Sequence, residues 1–164
     1  VLDLRSSASG PLKNAVPLAE LFIKSGVVAK VASRNAPEQT LVANNLASAY
    51  GGPLAILVDR GTAGASEIAA ACLLEAKRAT LFGENTFGRA GVQKQIPLDS
   101  GGGLVLTVSR YLTPKGDVIS GKGVSPPNLV RNPESLDAIG SPGEDPVLDK
   151  ALESLRATAQ KAAA

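Results

Sequence analysis

Short runs of apolar residues alternate along this chain with longer amphipathic or alanine-rich stretches, a pattern that predicts strands alternating with helices. Strands are predicted over residues 1–4, 27–32, 54–58, 80–82, 92–96 and 104–111, with a weaker one over 41–43. Helices are predicted from Pro11 to a stop at Gly26, from Glu67 to about Lys77, and over 146–159. The first strand, helix and second strand indicate a βαβ-type unit, whereas residues 35–52 are interpreted as a surface excursion.

Small aliphatic side chains must build the core, because 44% of the 164 residues are hydrophobic and 3% are aromatic. A core of alanine, valine, leucine and isoleucine is typical of α/β proteins. The length fits one domain. We therefore predict an α/β core over residues 1–131, followed over 132–164 by a linker and a C-terminal helix that packs on the core.

The composition excludes several kinds of chemistry. Without histidine, neither a Ser-His-Asp triad nor the common zinc sites can form. The single cysteine, Cys72, lies in an apolar helical stretch and is interpreted as a buried packing thiol. A net charge of +2 with interspersed signs argues against a nucleic-acid partner, and no apolar run approaches the roughly 20 residues that span a bilayer. We expect no metal or cofactor, and membrane association only through partner proteins.

Two loops are candidates for binding, because in parallel α/β sheets ligands lie beyond the carboxyl ends of the strands. Residues 5–10 follow the first strand, and residues 61–66 follow the buried strand over 54–58. Both loops are rich in small residues, so a substrate backbone can approach and free N–H groups can point at a carbonyl or carboxylate. The alternative is that small residues merely allow tight packing of helix on sheet.

Three segments carry a family resemblance. Residues 1–10 read VLDLRSSASG, residues 62–68 read TAGASEI and residues 83–93 read GENTFGRAGVQ. Their order and spacing resemble the core motifs of the C-terminal-processing (tail-specific) serine peptidases, and the similarity extends over nearly the whole chain. The resemblance implies a crotonase/ClpP-like α/β core with a mixed, largely parallel sheet and flanking helices. It also implies a PDZ domain and preceding strands, which we expect outside this chain, in the same polypeptide or a second one.

The resemblance places the family's Ser/Lys dyad at positions where both reactive groups are missing. The nucleophile position is Gly64 and the general-base position is Arg89. Glycine has no side chain to attack with, and a guanidinium does not accept a proton near neutral pH. Gln93 matches the glutamine that supports the lysine in the family. The oxyanion region is matched by Ser9, Gly10 and Ala65.

Two nearby hydroxyls are weak alternatives for a relocated nucleophile. Ser66 lies two residues beyond Gly64, a rotation of about 200° along a helix, so it points away from the cleft. We interpret it as a helix N-terminal hydroxyl near Glu67. Thr62 precedes the helix and is expected to have a structural role. Asp3 and Arg5 are interpreted as anchors of the first strand and its loop.

Three hypotheses for function follow. The favoured one is a non-catalytic homologue, or pseudoprotease, that serves as a subunit of a protein complex or binds a protein or peptide C-terminus. It would form homo- or hetero-oligomers, including with an active relative. The alternative is an active serine-type peptidase in which Ser66 or Thr62 is the nucleophile. A carrier of small apolar ligands is disfavoured by the low aromatic content. By family resemblance, the predicted location is extracytoplasmic, in the periplasm or the thylakoid lumen.

Overall fold

A computed structural model describes residues 1–44, 49–131 and 145–163 of the protein. Its strands are β1 (Leu2–Asp3), β2 (Ser25–Ser33), β3 (Ala36–Asn44), β4 (Ala55–Val58), β5 (Thr80–Gly83), β6 (Gly91–Pro97), β7 (Gly103–Leu112) and β8 (Asn128–Leu129). Its helices are α1 (Ala15–Glu20), α2 (Ala65–Glu75) and α3 (Pro146–Ala163), and a 3-10 turn over Leu12–Asn14 precedes α1.

The centre of the molecule is a parallel four-stranded sheet in the order β1-β4-β5-β8. Strand β4 is buried along its whole length because it is a continuous apolar run with a neighbouring strand on each side. Its alternate side chains enter different cores: Ile56 and Val58 join the cluster that contains α2, whereas Leu57 packs in the cluster that contains α3. The predicted α/β core with a parallel sheet and flanking helices is confirmed.

A second sheet, antiparallel and in the order β3-β2-β7-β6, stands beside the first. Strand β1 pairs with β4, whereas β2 pairs with β3 and β7, so the predicted βαβ unit over residues 1–32 is wrong. The surface excursion predicted over 35–52 is also wrong in part, because β3 forms a nine-residue strand there. Most of β3 is solvent-exposed, and it therefore lacks the apolar alternation that identifies a half-buried strand.

The first helix is shorter than predicted. Its regular part ends at Glu20, and Gly26 lies inside β2 with a φ of 129° instead of ending a helix. Pro17 is tolerated because it sits in the first turn, where backbone N–H groups have no partner within the helix. The helix over 65–75 and the strands at 80–83, 91–97 and 103–112 agree with the predictions within a few residues.

The C-terminal helix α3 contacts β4 and β5 and buries Val147 and Ala151 against them. The predicted linker over residues 132–143 lies outside the described residues. Cys72 is fully buried in α2, which confirms its interpretation as a packing thiol. Among the described residues, no helix is both long and apolar enough to cross a membrane, and no group of side chains has the composition of a metal site.

Candidate functional site

The site begins at the sharp turn between β4 and α2. Gly64 is the N-cap of α2, with a φ of 70° and a ψ of −124°. Side chains with a Cβ atom rarely adopt this conformation, and it persists where the surrounding structure enforces it. A strained strand-to-helix turn of this kind is the nucleophile elbow of many hydrolases. The local backbone at Gly64 is therefore that of an elbow, although the residue has no reactive group.

Gly64 and Arg89 face each other, as the resemblance implies. A Cβ atom placed on Gly64 would lie 4.0 Å from Nη2 of Arg89 and 3.9 Å from its carbonyl oxygen. The same Cβ would lie 3.4 Å from Cδ2 of Leu12, which is ordinary van der Waals contact. The guanidinium of Arg89 donates a hydrogen bond to the carbonyl of Ala8, in the loop after β1. Arg89 thus reaches from the loop before β6 to the loop after β1.

A cleft of about 400 Å³ lies between these loops and the start of the second sheet. Its lining residues are Gly10, Pro11, Leu12, Lys13, Gly64, Arg89, Gly91, Val92 and Tyr111. The charged side chains in this lining are cationic. Of the three residues predicted for the oxyanion region, Gly10 lines the cleft, Ser9 is exposed, and Ala65 is buried in the first turn of α2.

A buried carboxylate connects the two halves of the site. Glu67 is inaccessible to solvent, and its oxygens accept hydrogen bonds from the backbone N–H groups of Gly64 (3.0 Å), Gly88 (2.6 Å) and Arg89 (2.8 Å). The hydroxyl of Thr86 donates a fourth, at 2.5 Å. A buried carboxylate requires such partners because it has lost its hydration. Glu67 therefore fixes the backbone at positions 64 and 89 relative to each other.

Sequence reasoning did not identify this role of Glu67. A signal was available, since a glutamate three residues after a helix N-cap is the acidic member of a capping box. Here Gly64 is the N-cap, and Glu67 accepts its backbone N–H. The contacts to Gly88 and Arg89 join segments far apart in sequence, and no local pattern predicts them.

The loop that carries Arg89 is also held from its other side. Thr86 and Val124 exchange two hydrogen bonds, from Thr86 N–H to the Val124 carbonyl at 3.1 Å and from Val124 N–H to the Thr86 hydroxyl at 2.7 Å. Gly88 has a φ of 89°, and a Cβ there would lie 2.9 Å from the backbone nitrogen of Gly123. Only glycine fits this close approach.

The hydroxyls considered as alternative nucleophiles are both engaged elsewhere. Ser66 is buried, and its Oγ lies 2.8 Å from Oγ of Ser7. Thr62 is fully buried, donates to the carbonyl of Leu4 at 2.8 Å and accepts from the backbone N–H of Asp59 at 3.0 Å. Neither residue lines the cleft.

Gln93 is placed apart from Gly64. It lines a neighbouring pocket of about 260 Å³, to which Arg89 also contributes, and not the cleft that contains Gly64. Within the part of the chain that the structure describes, no hydrogen bond joins Gln93 to Arg89. The resemblance therefore matches Gln93 by position, whereas the contact expected of a supporting glutamine is not formed here.

Asp3 and Arg5 act as anchors, as interpreted from the sequence. Arg5 forms ion pairs with Asp3 at 2.7 Å and with Asp145 at 2.8 Å. Hydrogen bonding to Arg5 lowers the pKa of Asp3. Burial raises the pKa of Asp145, but hydrogen bonds from Arg5 and from the backbone of α3 outweigh this, so its pKa is also lowered. Arg5 thus fastens the start of α3 to the end of β1.

Together the fold and the site define a class of protein: an α/β core with a parallel sheet, in which a strand-to-helix elbow faces a cationic loop residue across a cleft. The chain matches the profile of peptidase family S41 over residues 1–129. It belongs to this family.

Its relatives are C-terminal-processing proteases. The chain is 37% identical over 145 residues to the carboxyl-terminal-processing protease of Synechocystis, covering 88% of this chain and 34% of that protein. It is 39% identical over 127 residues to the chloroplastic carboxyl-terminal-processing peptidase 2 of Arabidopsis thaliana, covering 77% of this chain and 25% of that protein.

A solved structure shares the same fold. The photosystem II D1 C-terminal processing protease superposes with a TM-score of 0.72 at 33% identity, over 84% of this chain and 36% of that one. The chain therefore spans about a third or less of the length of the relatives it matches.

Proposed function

We propose that this chain is a non-catalytic member of the S41 family, a pseudoprotease whose cleft holds the end of a peptide without cutting it. The observation that carries the proposal is the pairing of Gly64 with Arg89. The elbow and the cleft are retained, but the elbow has no hydroxyl and the facing cation cannot serve as a base.

The surroundings of the elbow support the loss of catalysis. A relocated nucleophile needs an accessible hydroxyl beside a base, and the hydroxyls of Ser66 and Thr62 are buried in hydrogen bonds away from the cleft. The chain has no histidine to activate them. An active peptidase based on either residue is therefore the less favoured function.

The charges of the cleft favour a peptide C-terminus as the ligand. Arg89 and Lys13 line it, and α2 begins at Gly64 with its N-terminus at the cleft wall. Guanidinium and ammonium groups and a helix N-terminus all attract a carboxylate. We infer that the chain works with protein partners, as a homo- or hetero-oligomer. We also infer a location outside the cytosol, which is supported by the word chloroplastic in the names of some relatives.

Binding can be tested with a fluorescent peptide that has either a free or an amidated C-terminus. We expect anisotropy to detect the free-acid peptide, and the amidated peptide to bind at least about tenfold more weakly, because it lacks the charge. Arg89→Gln is expected to abolish this preference, whereas Arg34→Gln, an exposed cation outside the cleft, preserves it. Equal binding of both peptides would contradict the proposed ligand.

Catalysis can be tested by restoring the dyad. The variant Gly64→Ser/Arg89→Lys is compared with Gly64→Ala/Arg89→Lys, which has the same backbone strain but no hydroxyl. Reaction with a serine-directed fluorophosphonate in the serine variant alone is the expected result. If the unaltered chain reacts, and Ser66→Ala or Thr62→Ala prevents it, the chain is an active peptidase and the proposal is wrong.

A further inference from the structure

A polar pocket of about 260 Å³ lies next to the cleft and has no part in the proposed function. It is lined by Gly88, Arg89, Ala90, Gly91, Gln93, Thr107, Arg110 and Ser120. Gln93 and Arg110 line this pocket, whereas their strand neighbours Val92 and Tyr111 line the cleft. The β6–β7 register shifts between Val92 and Gln93, so these two neighbouring residues line two adjacent spaces that meet at a strand irregularity.

The pocket contains a cation that is not neutralised. Arg110 has no ion pair or hydrogen bond within the described ranges 1–44, 49–131 and 145–163. Its cross-strand neighbours explain this, because the residues paired with it are Ala32 on β2 and Gly91 on β6, which carry no charge. The other arginine in the lining, Arg89, directs its guanidinium to the Ala8 carbonyl. Arg110 is therefore the available guanidinium of the pocket.

Neutral hydrogen-bond donors line the same pocket as this cation. Gln93 and Thr107 lie opposite each other on β6 and β7, and both line the pocket. Ser120 comes from the loop after β7, and its Oγ is buried with no hydrogen-bond partner among the residues that the structure describes. A buried hydroxyl without a partner is costly, so Ser120 brings an unmet hydrogen-bonding group to the wall of this pocket.

We propose that this pocket binds a carboxylate, held by the guanidinium of Arg110 and by the neutral donors of Ser120, Gln93 and Thr107. The planar guanidinium matches a carboxylate with two parallel hydrogen bonds. One available cation balances one negative charge, and no acidic side chain lines the pocket. A singly charged carboxylate therefore fits better than a doubly charged phosphate. Because Arg89 and Gly91 border both the pocket and the cleft, the two sites are direct neighbours.

The test is an NMR titration of the isotope-labelled 164-residue chain with sodium acetate, using sodium chloride at equal ionic strength as the reference. We expect acetate to shift the side-chain amide signals of Gln93 and the backbone signal of Ser120. Arg110→Gln should weaken this binding by about tenfold or more, and Ser120→Ala by about threefold or more. Arg34→Gln, which removes an exposed arginine outside the pocket, should leave it unchanged.

Binding in the cleft is distinguished by its own signals, since Val92 and Tyr111 line the cleft and not the pocket. Shifts confined to these two residues and abolished by Arg89→Gln report the proposed peptide site alone, and they overturn the pocket proposal. Shifts at Gln93 that persist in Arg110→Gln also overturn it. Tighter binding of inorganic phosphate than of acetate overturns the assignment to a carboxylate.

Discussion

The buried carboxylate of Glu67 accepts the backbone N–H of Arg89 at 2.8 Å, although the two residues are 22 positions apart. The same carboxylate oxygen accepts the N–H of Gly64 at 3.0 Å. The spacing between the elbow and the facing cation is therefore set by the backbone and by Glu67, and does not depend on the side chains at positions 64 and 89. The geometry at positions 64 and 89 is therefore independent of which side chains these positions carry.

Replacing Glu67 should destabilise the protein strongly. In Glu67→Gln, an NH2 group replaces one of the two carboxylate oxygens. This NH2 group faces backbone N–H groups, so two donors oppose each other and the hydrogen bond between them is lost. We expect a loss of about 2–4 kcal/mol in the free energy of unfolding, because buried N–H groups lose a charged acceptor. Urea unfolding followed by circular dichroism measures this.

The matched control is Glu153→Gln on α3, where the side chain is 74% exposed and pairs with Lys150 on the surface. This substitution should lower the free energy of unfolding by less than about 0.5 kcal/mol. Hydrogen exchange of the Gly88 and Arg89 amides should accelerate in Glu67→Gln and not in the control. Equal stabilities of the two variants would refute the role assigned to Glu67.

Gly64 should resist substitution because of its backbone conformation. With a φ of 70°, any side chain is strained, so Gly64→Ala and Gly64→Ser should each lose about 1–3 kcal/mol of stability. Thermal unfolding measures the loss. Gly51→Ala is the control, because φ there is not positive and a Cβ meets nothing within 4 Å. It should be neutral or stabilising by up to about 1 kcal/mol. Similar losses at both glycines would argue against strain at the elbow.

The parts of the fold that were predicted correctly are those with a strong local signal. Strand β4 and helix α2 are largely apolar and buried, and the predicted ends of both lie within two residues of the observed ends. For β3 the sequence predicts only a weak strand over residues 41–43, because seven of its nine residues are exposed and the pairing that stabilises it comes from β2. Pairing between strands is a tertiary property that apolar periodicity does not report.

The same distinction, between features with a local signal and contacts between distant segments, applies to the candidate site. The motifs single out Gly64 and Arg89, and the structure brings these residues together: a Cβ atom placed on Gly64 would lie 4.0 Å from Nη2 of Arg89. The bonds that fix them, from Glu67 and from the loop around Val124, join segments distant in sequence. The same holds for Gln93, whose motif position does not indicate that it lines the neighbouring pocket and not the cleft.

The anchoring of α3 should depend on pH. The pKa values of Asp3 and Asp145 are lowered in the folded protein, with hydrogen bonds to Arg5 among the causes. A carboxyl with a depressed folded pKa contributes stability that is fully present above its unfolded pKa of about 3.9 and is lost as pH falls through the folded value. We therefore expect α3 to loosen below about pH 4.

The variant Arg5→Gln measures how much stability the ion pairs of Arg5 with Asp3 and Asp145 contribute. The melting temperature of the variant should lie below that of the unaltered chain at pH 6, and the difference should shrink towards zero below about pH 4, where the carboxyls become protonated. Because Arg5 and Asp145 are partly exposed, the effect at pH 6 should be about 1 kcal/mol. Lys150→Gln, which removes an exposed ion pair within α3, serves as the control. A difference that stays constant from pH 2 to pH 6 would contradict the assignment.

Cys72 should be unreactive as long as the protein is folded. Burial, with a smaller contribution from the charge of Glu75, raises the pKa of its thiol to about 11, and its Sγ lies 3.6 Å from the carbonyl of Val27. The reactive thiolate is therefore scarce at pH 8, and the sulfur is out of reach of solvent. Iodoacetamide should leave Cys72 unmodified in the native protein and alkylate it completely in 8 M urea, as measured by mass spectrometry.

A Ser100→Cys variant, with its new thiol in the exposed turn between β6 and β7, should take up one label within minutes under native conditions. Labelling of Cys72 at the same rate as that exposed thiol would show that α2 opens readily. This result would contradict the tight packing of α2.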